Sequence, residues 1–356
     1  MRSDTFNFEI PVEQIAQTPS VKRDESRLMV VHRETGLIEH RTFRDLPEYL
    51  NANDLLLMNN TRVKPCRIHG KKEGTGGHVE LFILKHIFER DTEQTSYFEA
   101  LTGSWRNVQP GQKIELPEDG GFATLLEKAD GGHWLVSLDM STDTAEQYVS
   151  KAAKMPLPPY IKRERGDDEF TELDRERYQT VFAEHAGAVA APTSGLHFTP
   201  EVFSALRAKG VNETFLTLHV GLGTFRPLKS ETLKEHPMHS EDYEISQPTC
   251  DAIQEARDSG GRVVVVGTTS CRTIETVCDT DGKPYAGRGS TDKFIYPPYE
   301  FKCTDALITN FHLPHSTLIF LVAAWLGEGL TRQAYLEAIE SGYQFFSYGD
   351  SMLCLP

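Results

Sequence analysis

The sequence predicts an α/β main domain, with a mostly parallel sheet flanked by helices, and a small antiparallel β-barrel domain inserted into it. Three observations lead there. Residues from about Arg62 to Asp139 read as short alternating strands between glycine turns; residues from about Thr199 onward repeat strand, loop and helix; and a buried-strand pattern, Asp54-Leu55-Leu56-Leu57-Met58, precedes the β-rich part. Period-two alternation with Gly and Pro punctuation marks antiparallel strands. Strand–loop–helix repetition implies parallel strands joined by crossover helices. The simplest arrangement is a discontinuous α/β domain, 1–61 and 155–356, interrupted by a barrel over 62–154.

The elements follow in order. The barrel strands are Val79 to Leu84, Tyr97 to Leu101, Lys113 to Leu116, Phe122 to Leu126 and Trp134 to Leu138, with turns at Gly74-Thr75-Gly76-Gly77, Pro110-Gly111, Asp119-Gly120-Gly121 and Asp130-Gly131-Gly132. The proline-rich Met155 to Tyr160 is the linker that rejoins the main domain. Thr199 as cap, Pro200 at the first position and Gly210 past the end frame a helix. Thr214 to Val220 alternates as a strand, Pro248 to Ser259 is a helix ended by Gly260-Gly261, and Val263 to Val266 is a buried strand. Thr268-Thr269-Ser270 opens the next helix, Ala306 to Thr309 is a strand, and Ser316 to Leu326 is a helix ended by Gly327.

Composition narrows the class. The 356 residues suit two domains at roughly 150 residues each. Hydrophobic residues at 39% and charged residues at 25% are those of a soluble globular protein. The longest apolar run, Leu318 to Leu326, falls short of the roughly 20 residues that span a bilayer. Met1 to Phe6 lacks the apolar stretch of a signal peptide, so the cytoplasm is expected and a membrane partner is not. No two of the six cysteines have CxxC spacing, which argues against a zinc ribbon or redox pair and for reduced structural thiols. The net charge of −15 opposes non-specific nucleic-acid binding. A local basic patch remains compatible with it, because charges are screened beyond about 8 Å.

Four loops carry polar residues beyond structural need: 190–198, with Thr193, Gly195 and His197; 219–225, with His219, Gly221, Gly223 and Thr224; 267–272, with Thr268, Thr269, Ser270 and Arg272; and 309–314, with Asn310 and His312. In open α/β sheets, ligands bind beyond the carboxyl ends of the strands, where these loops can converge. Each has a plainer reading. Gly221 and Gly223 suit a tight turn, Thr268 to Ser270 cap a helix or offer donors to an anion, and each histidine can be structural. None of the histidines has HExxH spacing, so no metal is expected. Arg62, Lys64, Arg67, Lys71 and Lys72 lie within eleven positions without an acid, and Lys151, Lys154, Lys162, Arg163 and Arg165 bracket the linker. Two basic groups at a domain junction suit a phosphate backbone. Phe345-Phe346-Ser347-Tyr348-Gly349-Asp350 sets aromatics beside a carboxylate, a core or a cation site.

With these segments, and with Arg23 to Leu28, Asn59 to Val63, Met155 to Ile161, Tyr178 to Phe182, Met238-His239-Ser240-Glu241 and Ser347 to Asp350, the chain resembles the S-adenosylmethionine:tRNA ribosyltransferase-isomerase family of queuosine biosynthesis. The matches run nearly end to end. Departures are small: Ser194 and Leu222 stand where alanine is usual, and Pro298 where glycine is common. The resemblance implies an α/β domain with an inserted β-barrel. It implies a tRNA with a GUN-type anticodon carrying 7-aminomethyl-7-deazaguanine at the wobble position. The product is epoxyqueuosine in tRNA, with adenine and methionine released. S-adenosylmethionine is a consumed substrate, no bound cofactor is expected, and a monomer is the default.

Such chemistry needs a base near working pH, a proton donor for adenine and an uncharged attacking amine. His219, His312 and Asp350 are the catalytic candidates. Arg272 with Thr268, Thr269 and Ser270 is expected to hold the methionine carboxylate, and Tyr348 to face the sulfonium. Thr193, Gly195, His197, Gly221, Gly223, Thr224 and Asn310 complete the expected donor site. Arg62, Lys64, Arg67, Lys71, Lys72, Lys162 and Arg163 are the expected tRNA contacts. A binding-only RNA protein would leave the four polar loops unexplained, and a methyltransferase would carry a GxGxG run that is missing here.

Overall fold

The computed structural model describes residues 1–103, 108–129, 132–163, 169–221, 223, 228 and 230–356. In chain order the strands are β1 (Arg27–His32), β2 (Ile38–Thr42), β3 (Leu55–Asn59), β4 (Thr61–Val63), β5 (Arg67–Lys72), β6 (His78–His86), β7 (Ser96–Thr102), β8 (Lys113–Glu115), β9 (Phe122–Lys128), β10 (His133–Leu138), β11 (His185–Ala188), β12 (Asn212–Leu218), β13 (Glu241–Ile245), β14 (Val263–Val266), β15 (Gly287–Thr291), β16 (Ala306–Asn310) and β17 (Ser351–Leu355). The helices are α1 (Thr142–Ala152), α2 (Thr171–Arg177), α3 (Pro200–Ala208), α4 (Gln247–Asp258), α5 (Thr268–Thr276), α6 (Thr317–Leu326) and α7 (Glu328–Glu340). The chain divides into two compact units. One comprises Met1–Arg62, Pro158–Gly166 and Arg177–Pro356, and the other Val63–Leu157 and Asp167–Glu176.

Among the described residues, the first unit carries a nine-stranded sheet in the order β15-β13-β12-β3-β14-β16-β17-β1-β2. The expectation of a mostly parallel sheet is corrected: the sheet is mixed. The pairs β12/β3, β3/β14, β14/β16 and β17/β1 are parallel, and β15/β13, β13/β12, β16/β17 and β1/β2 are antiparallel. The reason lies in the crossovers. Each long connection of the parallel block holds a helix and also a strand: β13 precedes α4 between β12 and β14, and β15 follows α5 between β14 and β16. Those strands extend one edge in antiparallel sense. At the other edge, β1 and β2 are joined by a short turn with Gly36 at φ +72°, which only an antiparallel pair permits.

The parallel block is buried on both faces, so residues 55–58 of β3 and all of β14 are uninterrupted apolar runs. Leu56 and Met58 of β3, Val264 and Val266 of β14, and Ile308 of β16 pack with Phe198, Val202 and Leu206. α3 starts where its sequence says it should. The Thr199 hydroxyl accepts from the Val202 amide at 3.3 Å, Pro200 occupies the first turn, and Gly210 sits at φ +85° just past the end. Asp54, buried at the start of β3, accepts from the amides of Asn51 and Arg262 and pairs with the Arg262 guanidinium at 2.6 Å. That carboxylate sets the register of β3 against β14.

The second unit is a closed antiparallel barrel in the order β10-β7-β6-β5-β8-β9. The alternation of β7 is literal, with Ser96, Phe98, Ala100 and Thr102 buried and the residues between them less so. Gly70 of β5 allows a close crossing: a Cβ there would lie 2.5 Å from the Ile114 side chain and 2.7 Å from the Glu115 carbonyl. No helix among the described residues is long and apolar enough to cross a membrane.

Candidate functional site

The carboxyl ends of β12, β3, β14 and β16 lie at one edge of the sheet because the strands are parallel. The loops that follow β12, β14 and β16, with the 191–194 segment, line a cavity of about 220 Å³. Of the predicted residues, Thr193, Thr268, Thr269, Asn310 and His312 are in its wall, and the loop after β12 contributes Val220. Tyr160, Ser194, His315, Ser316, Leu318, Phe346 and Ser347 complete it with small and apolar neighbours. Among the described residues, the wall contains no Asp, Glu, Lys or Arg.

Asn310, at the end of β16, organises the floor. Its amide oxygen accepts from Thr193 Oγ1 at 3.2 Å, and its Nδ2 donates to the Phe346 carbonyl at 3.1 Å and to His197 Nε2 at 3.2 Å. His197 Nε2 is therefore the acceptor nitrogen, so Nδ1 carries the proton and donates to Ser26 Oγ at 2.7 Å. Burial first, and the nearby Arg23 second, push the His197 pKa down to about 3. His197 is a neutral brace behind the cavity.

His312 is in the cavity wall. Its Nε2 meets Thr309 Oγ1 at 2.8 Å, and its backbone amide donates to the Tyr335 hydroxyl at 3.1 Å. Burial pushes its pKa down to about 3. This corrects the expectation of an imidazole titrating near neutrality: His312 is uncharged there and acts as a hydrogen-bonding group. His219 is half-buried just beyond β12 and outside the cavity wall. The Thr61 hydroxyl donates to the His185 carbonyl at 3.4 Å, so its oxygen accepts Nδ1–H of His219 at 2.8 Å, which leaves Nε2 as the acceptor nitrogen. Gly187 shapes the ring's seat, since a Cβ there would come within 2.7 Å of it.

Several predicted residues are placed elsewhere. Both oxygens of Asp350 are engaged, Oδ1 by the Arg27 amide at 2.7 Å and Oδ2 by the Gln344 amide at 2.8 Å. Burial raises its pKa while those amides oppose the rise. It ties the 344–350 turn to β1 and is not in the cavity wall. Arg272 is buried and turned away from the cavity: Nη1 pairs with Glu241 Oε2 at 2.5 Å, and Nε donates to the Lys293 carbonyl at 2.9 Å. The other oxygen of Glu241 accepts the Gly221 amide at 2.8 Å, so the pair fastens the loop after β12. The role of carboxylate holder is thus corrected, because the charge is neutralised internally. Tyr348 packs edge-on against Tyr178, with ring centroids 5.9 Å apart, and is not in the cavity wall. Tyr160 and Phe346 supply the aromatic wall instead, 4.8 Å apart, with the Tyr160 hydroxyl 2.7 Å from Ser347 Oγ.

Gly195 and Gly223 serve packing. A Cβ at Gly195 would lie 2.7 Å from the Phe182 ring, and one at Gly223 would lie 2.3 Å from His239. Ser270 is wholly buried and outside the wall. Thr224, Leu222 and Arg165 lie outside the described residues. Tyr160 was missed as a site residue because the proline-rich stretch reads as a linker. Its signal was its place in the Met155 to Ile161 match.

The basic residues divide between the units. In the first, Arg62 and Lys162 are exposed, Arg62 donates to the Ala183 carbonyl, and Arg163 donates to the Gln17 carbonyl at 3.0 Å. In the barrel, Lys64 and Lys71 are exposed and Lys72 is half-buried. Arg67 is different: it donates to the Leu157 carbonyl at 3.0 Å and lies 3.7 Å from Glu80, which makes it a brace of the barrel. Among the described residues, no cluster of three His, Cys, Asp or Glu is arranged to hold a metal ion.

Comparisons with known proteins agree along the whole chain. The profile of the family described as "Queuosine biosynthesis protein" matches residues 3–354. A protein of Symbiobacterium thermophilum named S-adenosylmethionine:tRNA ribosyltransferase-isomerase is 47% identical over 355 residues, covering 100% of both chains. One of Clostridioides difficile with the same name is 46% identical over 353 residues, covering 99% of each. A crystal structure from Thermotoga maritima, described as S-adenosylmethionine tRNA ribosyltransferase, is 33% identical and covers 99% of this chain and 100% of its own, with a TM-score of 0.54. A profile match from residue 3 to residue 354, on a sheet whose parallel strands open into one cavity, places this chain in the queuosine biosynthesis protein family.

Proposed function

We propose that the chain is an S-adenosylmethionine:tRNA ribosyltransferase-isomerase. It transfers and isomerises the ribosyl group of S-adenosylmethionine onto 7-aminomethyl-7-deazaguanine at the wobble position of a tRNA with a GUN-type anticodon. The products are epoxyqueuosine in tRNA, adenine and methionine. The observation that carries this reading is identity of 47% over the full length of a relative that bears the name. We place S-adenosylmethionine in the cavity as a consumed substrate, and the protein in the cytoplasm as a monomer that needs no bound cofactor.

The sulfonium makes the adjacent ribose C5′–H acidic. A base removes that proton to give an ylide, adenine departs as the ring opens, the substrate's amine attacks the ribosyl fragment, and closure to the cyclopentane epoxide expels methionine. His219, the residue before Val220 of the cavity wall, is our base, because its tautomer is set by Thr61 and its ring by Gly187. His312, neutral in the cavity wall, hydrogen-bonds the departing adenine. The aromatic rings of Tyr160 and Phe346 suit a sulfonium in a wall that, among the described residues, has no carboxylate. An uncharged cavity also favours the neutral form of the attacking amine.

The test is a single-turnover reaction with S-adenosylmethionine and an anticodon stem-loop bearing the aminomethyl-deazaguanine. Equimolar adenine and methionine, dependent on the aminomethyl group, are expected. Release of S-adenosylhomocysteine, or no adenine from folded protein that binds the RNA, overturns the reading.

A further inference from the structure

We propose that the first turn of α5, together with the hydroxyls of Thr268 and Ser194, is an anion subsite that takes the donor's α-carboxylate through uncharged donors alone. The inference rests on the cavity being the S-adenosylmethionine site. It differs from the sequence expectation in assigning no part to Arg272.

Helix α5 begins at Gly267, whose φ is +87°, and has no side-chain cap. The amides of Thr268, Thr269 and Ser270 meet no acceptor among the described residues. Bare amides at a helix start are ordinary in water, but these are buried: Thr268 is 7% exposed, Thr269 6% and Ser270 0%. A buried, uncapped helix start calls for a partner from outside the chain. Two hydroxyls point to where that partner sits. Thr268 and Ser194 both line the cavity, both are more than nine-tenths buried, and neither hydroxyl has a hydrogen-bond partner among the described residues. Ser194 Oγ lies 3.5 Å from the point where a Cβ on Gly267 would stand, so glycine keeps the approach to the helix start open.

The other helix start at the cavity is not equivalent. At α6, the cap residue Ser316 donates its hydroxyl to the Leu313 carbonyl at 2.8 Å. The Thr193 hydroxyl is taken by Asn310. Unengaged donors therefore gather at the start of α5, where the helix dipole also favours an anion. The cation nearest in sequence, Arg272 on the same helix, is neutralised by Glu241. With no charged group lining the wall among the described residues, the carboxylate is the part of the donor that fits amides and hydroxyls. Ser194 adds one hydroxyl donor to the amides of the helix start.

The experiment is calorimetric binding of S-adenosylmethionine and of its decarboxylated sulfonium analogue to the full chain, compared with T268V, S194A and R272K. The wild type should prefer the intact donor by about tenfold or more, the worth of a neutral hydrogen bond to a charged group. T268V and S194A should each shrink that preference by about threefold to tenfold while leaving the analogue's affinity unchanged. R272K should keep it. Equal affinity of the wild type for both compounds overturns the subsite and leaves the donor cavity standing. So does an undiminished preference in both T268V and S194A. Binding of neither compound to folded wild type overturns the cavity assignment itself.

Discussion

A histidine acts through what its two nitrogens touch. His197 has both engaged, by Asn310 and Ser26, and is structural. His312 has one on Thr309 and stands in the cavity wall. Both have pKa values lowered to about 3 by burial, and this has a stability consequence with a definite sign. The unfolded chain protonates each ring below about pH 6.5, while the folded chain does so only near 3. Their contribution is present above about pH 6.5 and is lost as pH falls towards 3, at about 1.4 kcal/mol per pH unit for each ring. Urea midpoints measured from pH 7 to pH 4 should fall accordingly, and H312Q should flatten the slope. An unchanged slope in H312Q would mean that its imidazole titrates alike in both states. Legibility at this scale was partial. The polar loop residues stand out after buried strands, but what engages a side chain does not: Asp350 is capped by an amide 323 positions away.

Among the elements, the buried Arg272–Glu241 pair is the clearest device. It joins α5 to the first residue of β13 and, through Gly221, to the loop that ends β12. Removing one partner leaves an unpaired buried charge, which is destabilising by about 3–5 kcal/mol. R272A should lower the unfolding free energy obtained from urea titration by that amount. R272K should recover only part of it, since an ammonium cannot reproduce the directed contacts to Glu241 and to the carbonyls of Lys293 and Thr291. A midpoint equal to wild type in R272A would show that the pair adds nothing net. The elements themselves were more legible than their contacts. Thr199, Pro200 and Gly210 framed α3, and the unbroken Val263 to Val266 run marked a central strand. The antiparallel edges were hidden because β13 and β15 sit inside crossovers whose helices dominate the pattern.

For the molecule as a whole, a net charge of −15 confines attraction for a nucleic acid to local patches. Lys64 and Lys71 are exposed on the barrel unit, whereas Arg67 braces the barrel. K64A and K71A should each reduce the slope of log affinity against log salt for the tRNA by about one, without changing affinity for S-adenosylmethionine. Filter binding at several salt concentrations checks this, and unchanged slopes in both variants would move the RNA surface elsewhere. The sequence by itself determined five strands of the β-rich segment, the strands β3, β12, β14 and β16 with helices α3 to α6, the loops that line the cavity and, through resemblance, the family. All of these rest on local periodicity, turn chemistry and motif order. Tertiary structure alone decided that Arg272, Asp350 and Tyr348 face inward, that Tyr160 and Ser194 line the cavity, and that the sheet is mixed. Burial and pairing are properties of neighbours brought together from distant parts of the chain, and no local pattern encodes which neighbours those will be.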